Sequence, residues 1–226
     1  MRVLRGRAST VEEDRAVTRA LAGDVEGSGE PVVRAWRPHR QVAFGRRDAR
    51  SDGYTWAKRA AEERGFPTYE RDVGGRAVAY TGNTVAFVRI EPVEELRRGT
   101  DERYDRAVSD VRGALRSLGV EARAGEPPDA FCPGAHSLST AAGKLVGIAQ
   151  RVRQGSAAVA GIVVVRDHEE IAAVLDPVYG TLGVPFDPDT VGSVATSGGP
   201  ADPTRVARGV ESALVGGREE RVERVR

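Results

Sequence analysis

The stretch from residue 144 to residue 165 restricts the possible folds of this chain more than any other part of it. Two runs rich in apolar residues and glycine, 144–152 and 157–165, are separated only by residues 153–156. Strands joined by so short a connection pair antiparallel, because a parallel crossover needs a dozen or more residues. The pattern therefore predicts a long antiparallel hairpin.

The rest of the chain alternates between groups of short strands and single helices. Apolar spacing indicates helices over about 10–21, 52–64, 102–118, 168–175 and 202–214, and strands at 2–7, 32–36, 41–44, 68–71, 76–80 and 84–90. This order predicts an α+β fold, a mixed and largely antiparallel β-sheet flanked by helices, rather than a doubly wound parallel sheet. The polar stretch 22–31 is predicted to be a loop, and the charged tail 218–226 is expected to fray.

Composition narrows the possible functions. Cys132 is the only cysteine in 226 residues, which excludes an intrachain disulfide and any zinc site with two or more cysteines, and we expect no metal site. A balance of 34 basic and 33 acidic residues argues against nucleic-acid binding. The apolar run 157–165 is far shorter than the about 20 residues that span a bilayer. Since no secretory signal is visible either, we expect a soluble, cytoplasmic protein.

A glycine pair, Gly74-Gly75, lies between two predicted strands in residues 70–78. Glycine lets the backbone pass close to a ligand and present its N–H groups to it. A plain turn between strands is the alternative, since glycine pairs are common there. The segment matches neither a Walker loop nor a dinucleotide-binding fingerprint.

Lys144 opens an apolar strand in a chain that has only one other lysine, Lys58. Its ammonium group is suited to hold a carbonyl oxygen or a phosphate, and the small residues Gly147 and Ala149 leave room for a ligand beside the sheet. The alternative is a lysine at a strand end whose ammonium group extends into solvent.

Cys132 precedes this lysine by 12 residues, in a loop rich in proline and glycine. A reactive cysteine needs partial exposure and a positive surrounding, and nearness to Lys144 favours that interpretation. His136 is a possible base for the thiol. The alternative is a small buried apolar residue, which is the commonest role of a lone cysteine.

Three segments, in this order, resemble the lipoate–protein ligase family, which includes octanoyltransferases and is related to biotin ligases. A strand region ending in Gly-Arg corresponds to residues 34–46, an RRxxGG-like segment to 71–78, and a GKKxxGxAQ-like strand to 143–150. Arg76 after the glycine pair, and a cysteine shortly before the lysine segment, are similar to the cysteine-dependent octanoyltransferase branch. The ATP-dependent ligases usually lack that cysteine.

The resemblance implies the biotin/lipoate protein ligase catalytic-domain fold over residues 1–190. Residues 191–226 are then a C-terminal helix and charged tail packed on, or extending from, the same domain. It also implies transfer of an octanoyl or lipoyl group to the target lysine of a lipoyl domain. An acyl thioester on Cys132 would be the intermediate, with Lys144 at the carbonyl oxygen. The implied acyl-binding residues are Arg71, Gly74, Gly75, Arg76, Ala77, Gly147, Ala149 and Gly161.

The implied partners are an acyl carrier protein or lipoyl-domain protein as donor. The implied acceptors are lipoyl domains of 2-oxoacid dehydrogenase complexes or the glycine cleavage H protein. A transferase of this kind needs no cofactor, and a monomer is expected. Glu70, Tyr80 and Ala160 depart from the family pattern, so activity or substrate preference is open at these positions.

Two other interpretations are kept. An ATP-dependent lipoate ligase would use ATP and Mg²⁺ and hold a lipoyl-adenylate with Lys144, leaving Cys132 without a role. A non-catalytic binding module is the alternative of a different class. A biotin ligase is disfavoured, because no GRGRxGR-type loop is present.

Overall fold

A computed structural model describes residues 1–71, 75–96 and 98–225 of the chain. Its strands are β1 (Arg2–Arg5), β2 (Val32–Trp36), β3 (Gln41–Phe44), β4 (Thr68–Glu70), β5 (Val78–Tyr80), β6 (Val85–Val93), β7 (Arg123–Ala124), β8 (Ser137–Thr140), β9 (Gly143–Arg153), β10 (Gly155–Val163) and β11 (Arg221–Arg224). Its α-helices are α1 (Val11–Ser28), α2 (Tyr54–Glu62), α3 (Thr100–Ser117), α4 (His168–Leu182) and α5 (Pro203–Val215), with a 3₁₀ turn at Pro188–Thr190. None of the helices within these ranges is both long and apolar enough to cross a membrane.

The strands form two sheets. The larger has the order β11-β1-β2-β6-β10-β9-β8-β7, and the smaller has the order β4-β3-β5. The contacts of β1 with β2 and β11, and of β3 with β4, are parallel, and the other pairings are antiparallel. The mixed, largely antiparallel α+β fold expected from the sequence is therefore confirmed.

The predicted hairpin is confirmed as β9 and β10. Arg153 lies opposite Ser156, so only Gln154 and Gly155 form the turn, and Gly155 has a positive φ of 81°. Two-residue turns of this kind favour residues that tolerate positive φ, because their twist then matches that of the strands. The hairpin places Lys144 near the far end of β9, next to β8.

Helices cover both faces of the larger sheet. Helices α3 and α5 pack on one face, where Val111 and Val210 are buried with Phe87 of β6. Helix α1 covers part of the other face through Leu21 and Val25. Helices α2 and α4 pack together and enclose a separate core with β3 and β5.

Two predictions about local structure are wrong. Residues 22–28 continue helix α1, because Val25 is fully buried against the sheet and this burial outweighs the cost of about 1 kcal/mol for each helical glycine. The tail does not fray over residues 221–224. It pairs in parallel with β1 as an edge strand, where alternating charges remain exposed while the backbone is bonded.

Candidate active site

Cys132 lies in the loop between β7 and β8, in a left-handed conformation with a φ of 44°. Its side chain is half-buried. Its backbone N–H donates to the hydroxyl of Tyr179 at 2.5 Å, and that hydroxyl donates to the carbonyl oxygen of Ala77 at 3.0 Å. Left-handed backbone is rare for residues other than glycine and persists where surrounding contacts hold it, as they do here.

The sulfur of Cys132 faces a guanidinium group. Nη2 of Arg71 lies 3.4 Å from Sγ and also donates to the carbonyl oxygen of Arg76 at 2.5 Å. Arg71 thereby joins the thiol to the backbone of the glycine loop. The sequence predicted Arg71 as an acyl-binding residue, and the structure places it on the sulfur itself.

Gly75 packs directly against this pair of groups. It has a φ of 90°, and a Cβ atom added to it would lie 2.9 Å from Sγ of Cys132 and 3.0 Å from Nη2 of Arg71. The backbone conformation therefore favours glycine at this position, and any side chain there would displace Sγ or the guanidinium. Gly74, predicted alongside it, lies outside the described residues.

Lys144 is completely buried at the start of β9. Its ammonium group donates to Oε2 of Glu126 at 2.6 Å, to the carbonyl oxygen of Phe131 at 2.8 Å and to that of Cys132 at 2.9 Å. These three acceptors match the three N–H donors of a lysine. The side chain does not extend into solvent, so that interpretation of Lys144 is wrong.

An irregularity in the sheet turns this side chain toward the loop. Lys144 and Val146 pair with the consecutive residues Ser139 and Leu138, which leaves Leu145 as an extra residue on β9. A bulge of this kind interrupts the alternation of side chains along a strand. Lys144 consequently lies beside Gly147, where an added Cβ would be 3.8 Å from Nζ.

The other predicted acyl-binding residues have various contacts. Arg76 forms an ion pair with the buried carboxylate of Asp48 at 3.1 Å, and Ala77 is fully buried. Ala149 is exposed on β9. The ring of Phe87 occupies the space where a side chain at Gly161 would lie, with its Cζ 2.4 Å from an added Cβ. Packing alone therefore accounts for that glycine.

His136 lies against an aromatic ring instead of the thiol. Its ring stacks on Tyr104 with centroids 3.7 Å apart and planes at 10°. Within the described ranges, no hydrogen bond joins His136 to Cys132, so the geometry does not support His136 as the base. In the same ranges, no group of three or more His, Cys, Asp or Glu side chains is arranged to hold a metal ion.

Tyrosines enclose the sulfur on the side of the smaller sheet and α4. Burial raises the pKa of Tyr80, which lies near Tyr69 and Arg71. Burial, with Cys132 adding to it, also raises the pKa of Tyr179 well above its ordinary value of 10.0. Both hydroxyls are therefore protonated at neutral pH, and Tyr179 remains able to donate to Ala77.

Sequence reasoning missed Glu126 and Tyr179. Glu126 precedes two prolines in a loop, and no motif marked it as the partner of Lys144. Tyr179 lies on the buried face of α4, two residues after a proline inside the helix. Helical apolar spacing identified the first two turns of that helix, but nothing in it indicated that its second half reaches the cysteine loop.

Comparison with known proteins assigns the chain to a family. The sequence model described as "Lipoyl protein ligase A/B catalytic domain" matches residues 11–193. The octanoyl-[GcvH]:protein N-octanoyltransferase of Bacillus velezensis is 29% identical over 134 residues, which are 59% of this chain and 47% of that protein. The protein of the same description from Geobacillus kaustophilus is 28% identical over 133 residues, with the same coverage of 59% and 47%. The chain thus spans about half the length of these relatives.

Solved structures share the fold. Lipoate-protein ligase A bound with ATP superimposes with a TM-score of 0.79 at 18% identity, covering 100% of this chain and 89% of that one. The bi-partite lipoate protein ligase of Thermoplasma acidophilum gives a TM-score of 0.69 at 18% identity, covering 100% and 87%. At these identities the likeness is one of fold.

Proposed function

Because the family model covers most of the chain, the protein belongs to the lipoyl protein ligase A/B catalytic-domain family, and on that premise we propose that it transfers an octanoyl group between proteins through an acyl thioester on Cys132. The donor is an octanoylated carrier of the GcvH type, and the acceptor is the target lysine of a lipoyl domain. The catalytic domain spans residues 1–190, and residues 191–226 are a C-terminal helix and charged tail packed on, or extending from, the same domain.

One observation carries the proposal: Sγ of Cys132 lies 3.4 Å from Nη2 of Arg71 in a loop whose backbone is held in place. A thiol in a partly exposed, positively charged setting is the setting of a nucleophilic cysteine. A ligase that works through an adenylate does not need such a thiol. The names of the relatives point to the same reaction class.

The first step forms the acyl-enzyme. The Cys132 thiolate attacks the carbonyl carbon of the octanoyl group, a new carbon–sulfur bond forms, and the bond between that carbon and the donor atom breaks. If the donor is the lysine amide of a GcvH-type protein, the leaving amine takes up a proton. If it is an acyl carrier protein thioester, the leaving group is a thiolate.

The second step regenerates the cysteine. The neutral amine of the acceptor lysine attacks the thioester carbon, an amide bond forms, and the bond to Sγ breaks to release the thiolate. The amine loses one proton to solvent, so no redox partner is needed. This sequence uses no ATP, whereas a ligase would require ATP and Mg²⁺.

The glycine loop is the proposed binding region for the acyl group. Gly75 touches the sulfur, and Gly147 touches the lysine that holds the cysteine loop, so both positions lie where the acyl carbonyl would arrive. Gly74 and Arg76, on either side of Gly75, complete this loop, and Ala77 anchors it through Tyr179. Ala149 and Gly161 stay predictions that rest on the resemblance.

The test is the intact mass of the protein after incubation with an octanoylated GcvH-type protein, with octanoyl acyl carrier protein, or with free lipoate and ATP. We expect a gain of one octanoyl group from the GcvH-type donor without ATP, removable by hydroxylamine and absent in Cys132→Ser. A mass gain only with octanoyl acyl carrier protein would show that the donor is this thioester and not a GcvH-type protein. No covalent gain, with lipoyl transfer that needs ATP and survives Cys132→Ser, would refute the proposal in favour of a ligase.

A further inference from the structure

We propose that Arg71 is the cation that stabilises the ionised thiol of Cys132, and that Lys144 holds the cysteine loop in place through its backbone. The inference rests on the proposed acyl transfer through Cys132, and it gives the two cations of the site different roles. The family resemblance implied another role for Lys144, namely binding the carbonyl oxygen of the substrate.

Arg71 has no carboxylate partner in the part of the chain that the structure describes. Among the described residues, no carboxylate lies within ion-pair distance of its guanidinium, and its Nε is buried without a hydrogen-bond partner. A cation held out of water is costly unless a negative charge faces it. Burial lowers the pKa of Arg71, but the charge of Cys132, the neighbouring Tyr80 and Tyr69 and the hydrogen bond to Cys132 together raise it by more, so the pKa of Arg71 is raised. Sγ of Cys132, 3.4 Å from Nη2, is the position from which a thiolate formed during the reaction would face this cation.

Two carboxylates that contact residues of the site are each paired with another cation. Asp48 pairs with Arg76, and Glu126 pairs with Lys144. The tyrosines that face the sulfur and Arg71 are uncharged at neutral pH, as described above. Arg71 is then the charged group in direct contact with Sγ in the described part of the chain.

Lys144 has no free donor for a substrate oxygen. Its three hydrogen bonds end on Glu126, on the carbonyl of Phe131 and on the carbonyl of Cys132. Binding an oxyanion would require it to release one of these acceptors inside a buried site. The two carbonyl contacts instead fix the peptide groups on both sides of the left-handed residue.

Tyr179 completes this restraint from the opposite side. It accepts the N–H of Cys132 while Lys144 receives the carbonyl oxygen of the same residue. With both polar groups of its backbone bonded, Cys132 can direct its side chain toward Arg71 and Gly75. Lys144 is accordingly a positioning residue, and Arg71 is a catalytic residue that touches the reacting atom.

The rate at which iodoacetamide alkylates Cys132 tests the role of Arg71 without any acyl substrate. Because Cys132 is the only cysteine, the modified position is unambiguous. At pH 7 we expect Arg71→Gln to slow alkylation several-fold to about thirtyfold, because an ordinary cysteine thiol with a pKa of about 8.5 is still about 3% ionised at that pH. The difference should narrow near pH 10, where an ordinary cysteine thiol is ionised.

Arg15→Gln is the matched control. Arg15 of α1 stacks on the ring of Tyr69 at 3.9 Å and donates to the carbonyl of Glu70, so the variant removes a guanidinium that lies against β4 without touching the sulfur. It should react at the wild-type rate. Wild-type alkylation at pH 7 in Arg71→Gln, or an equal loss at every pH, would overturn the role of Arg71.

The two possible roles of Lys144 predict opposite changes in the alkylation rate of Glu126→Gln. If Lys144 acted on the sulfur through its charge, removing the negative partner would speed alkylation. If Lys144 holds the loop, losing Glu126 loosens it and slows alkylation several-fold, and Lys144→Met should do the same. Faster or unchanged alkylation in Glu126→Gln, with the fold retained by circular dichroism, would refute the positioning role.

These assays are independent of octanoyl transfer. Slowed alkylation in Arg71→Gln, together with no acyl-enzyme from any donor, would refute the proposed function and leave the assignment of Arg71 intact. Acyl-enzyme formation by the wild type, with unchanged alkylation in Arg71→Gln, would refute the assignment of Arg71 and leave the proposed function intact.

Discussion

Replacing Gly75 with alanine tests the closest contact in the site. An alanine Cβ would lie 2.9 Å from Sγ of Cys132, about 0.6–1.1 Å inside the ordinary contact distance of about 3.5–4.0 Å. Either Sγ or the loop must move by that amount. A misplacement of about 1 Å at a reacting group costs about 100-fold in rate, so we expect octanoyl transfer in Gly75→Ala to fall by about that factor.

The same substitution also carries a backbone cost. A residue with a side chain in the left-handed region costs about 1–2 kcal/mol, which lowers Tm by roughly 2–8 °C in a chain of this size. Gly82→Ala is the matched control, because Gly82 has a φ of 86° and no atom within 4 Å of an added Cβ. It should lose similar stability and keep its activity.

The assay is kcat/KM for octanoyl transfer, with thermal unfolding measured on the same preparations. Equal loss of activity in Gly75→Ala and Gly82→Ala would mean that backbone strain, and not contact with the sulfur, limits the reaction. Full activity in Gly75→Ala would show that the loop does not approach the sulfur as described.

Two further predictions concern the stability of the fold. Tyr179→Phe leaves the N–H of Cys132 and the carbonyl of Ala77 without a partner at about 1–3 kcal/mol each, so urea unfolding should show a loss of about 2–6 kcal/mol. Burial raises the pKa of Tyr80 and Tyr179 above 10.0 in the folded protein. Their contribution to the free energy of unfolding is therefore complete below pH 10, and it declines above pH 10 because the tyrosines then ionise in the unfolded chain but not in the folded one. The urea midpoint should therefore fall between pH 9.5 and pH 11.5 in the wild type, and by less in Tyr179→Phe; an equal fall in the two proteins would contradict the assignment of Tyr179.

Local patterns determined much of the fold. The β9–β10 hairpin follows from two apolar runs and a very short connection, and α3 follows from an apolar stripe that ends at Gly119. Both depend on residues close together in the chain, so the sequence alone carries them. The pairing of β11 with β1 joins the two ends of the chain through backbone bonds, which side-chain patterns do not report.

The candidate site also has features that the sequence predicted and features that only the packing decided. The order of the glycine pair, Cys132 and Lys144 along the chain was sufficient to suggest one site and one family. The sequence could not indicate which cation meets the sulfur. That depends on the bulge at Leu145, which turns Lys144 toward the loop carbonyls, and on β4, which ends next to Arg71 and places it beside Sγ.

Sequence by itself therefore determined the fold class and the family and supplied the candidate reactive residues, because these depend on local spacing and residue chemistry. Tertiary structure alone decided the partners: Glu126 for Lys144, Arg71 for the thiol and Tyr179 for the backbone of Cys132. The contacts of Arg71 and Tyr179 join residues 61 and 47 positions apart, and each exists only after separate elements have packed. The charge and the orientation of a buried group are set by what packing brings beside it, which no local pattern encodes.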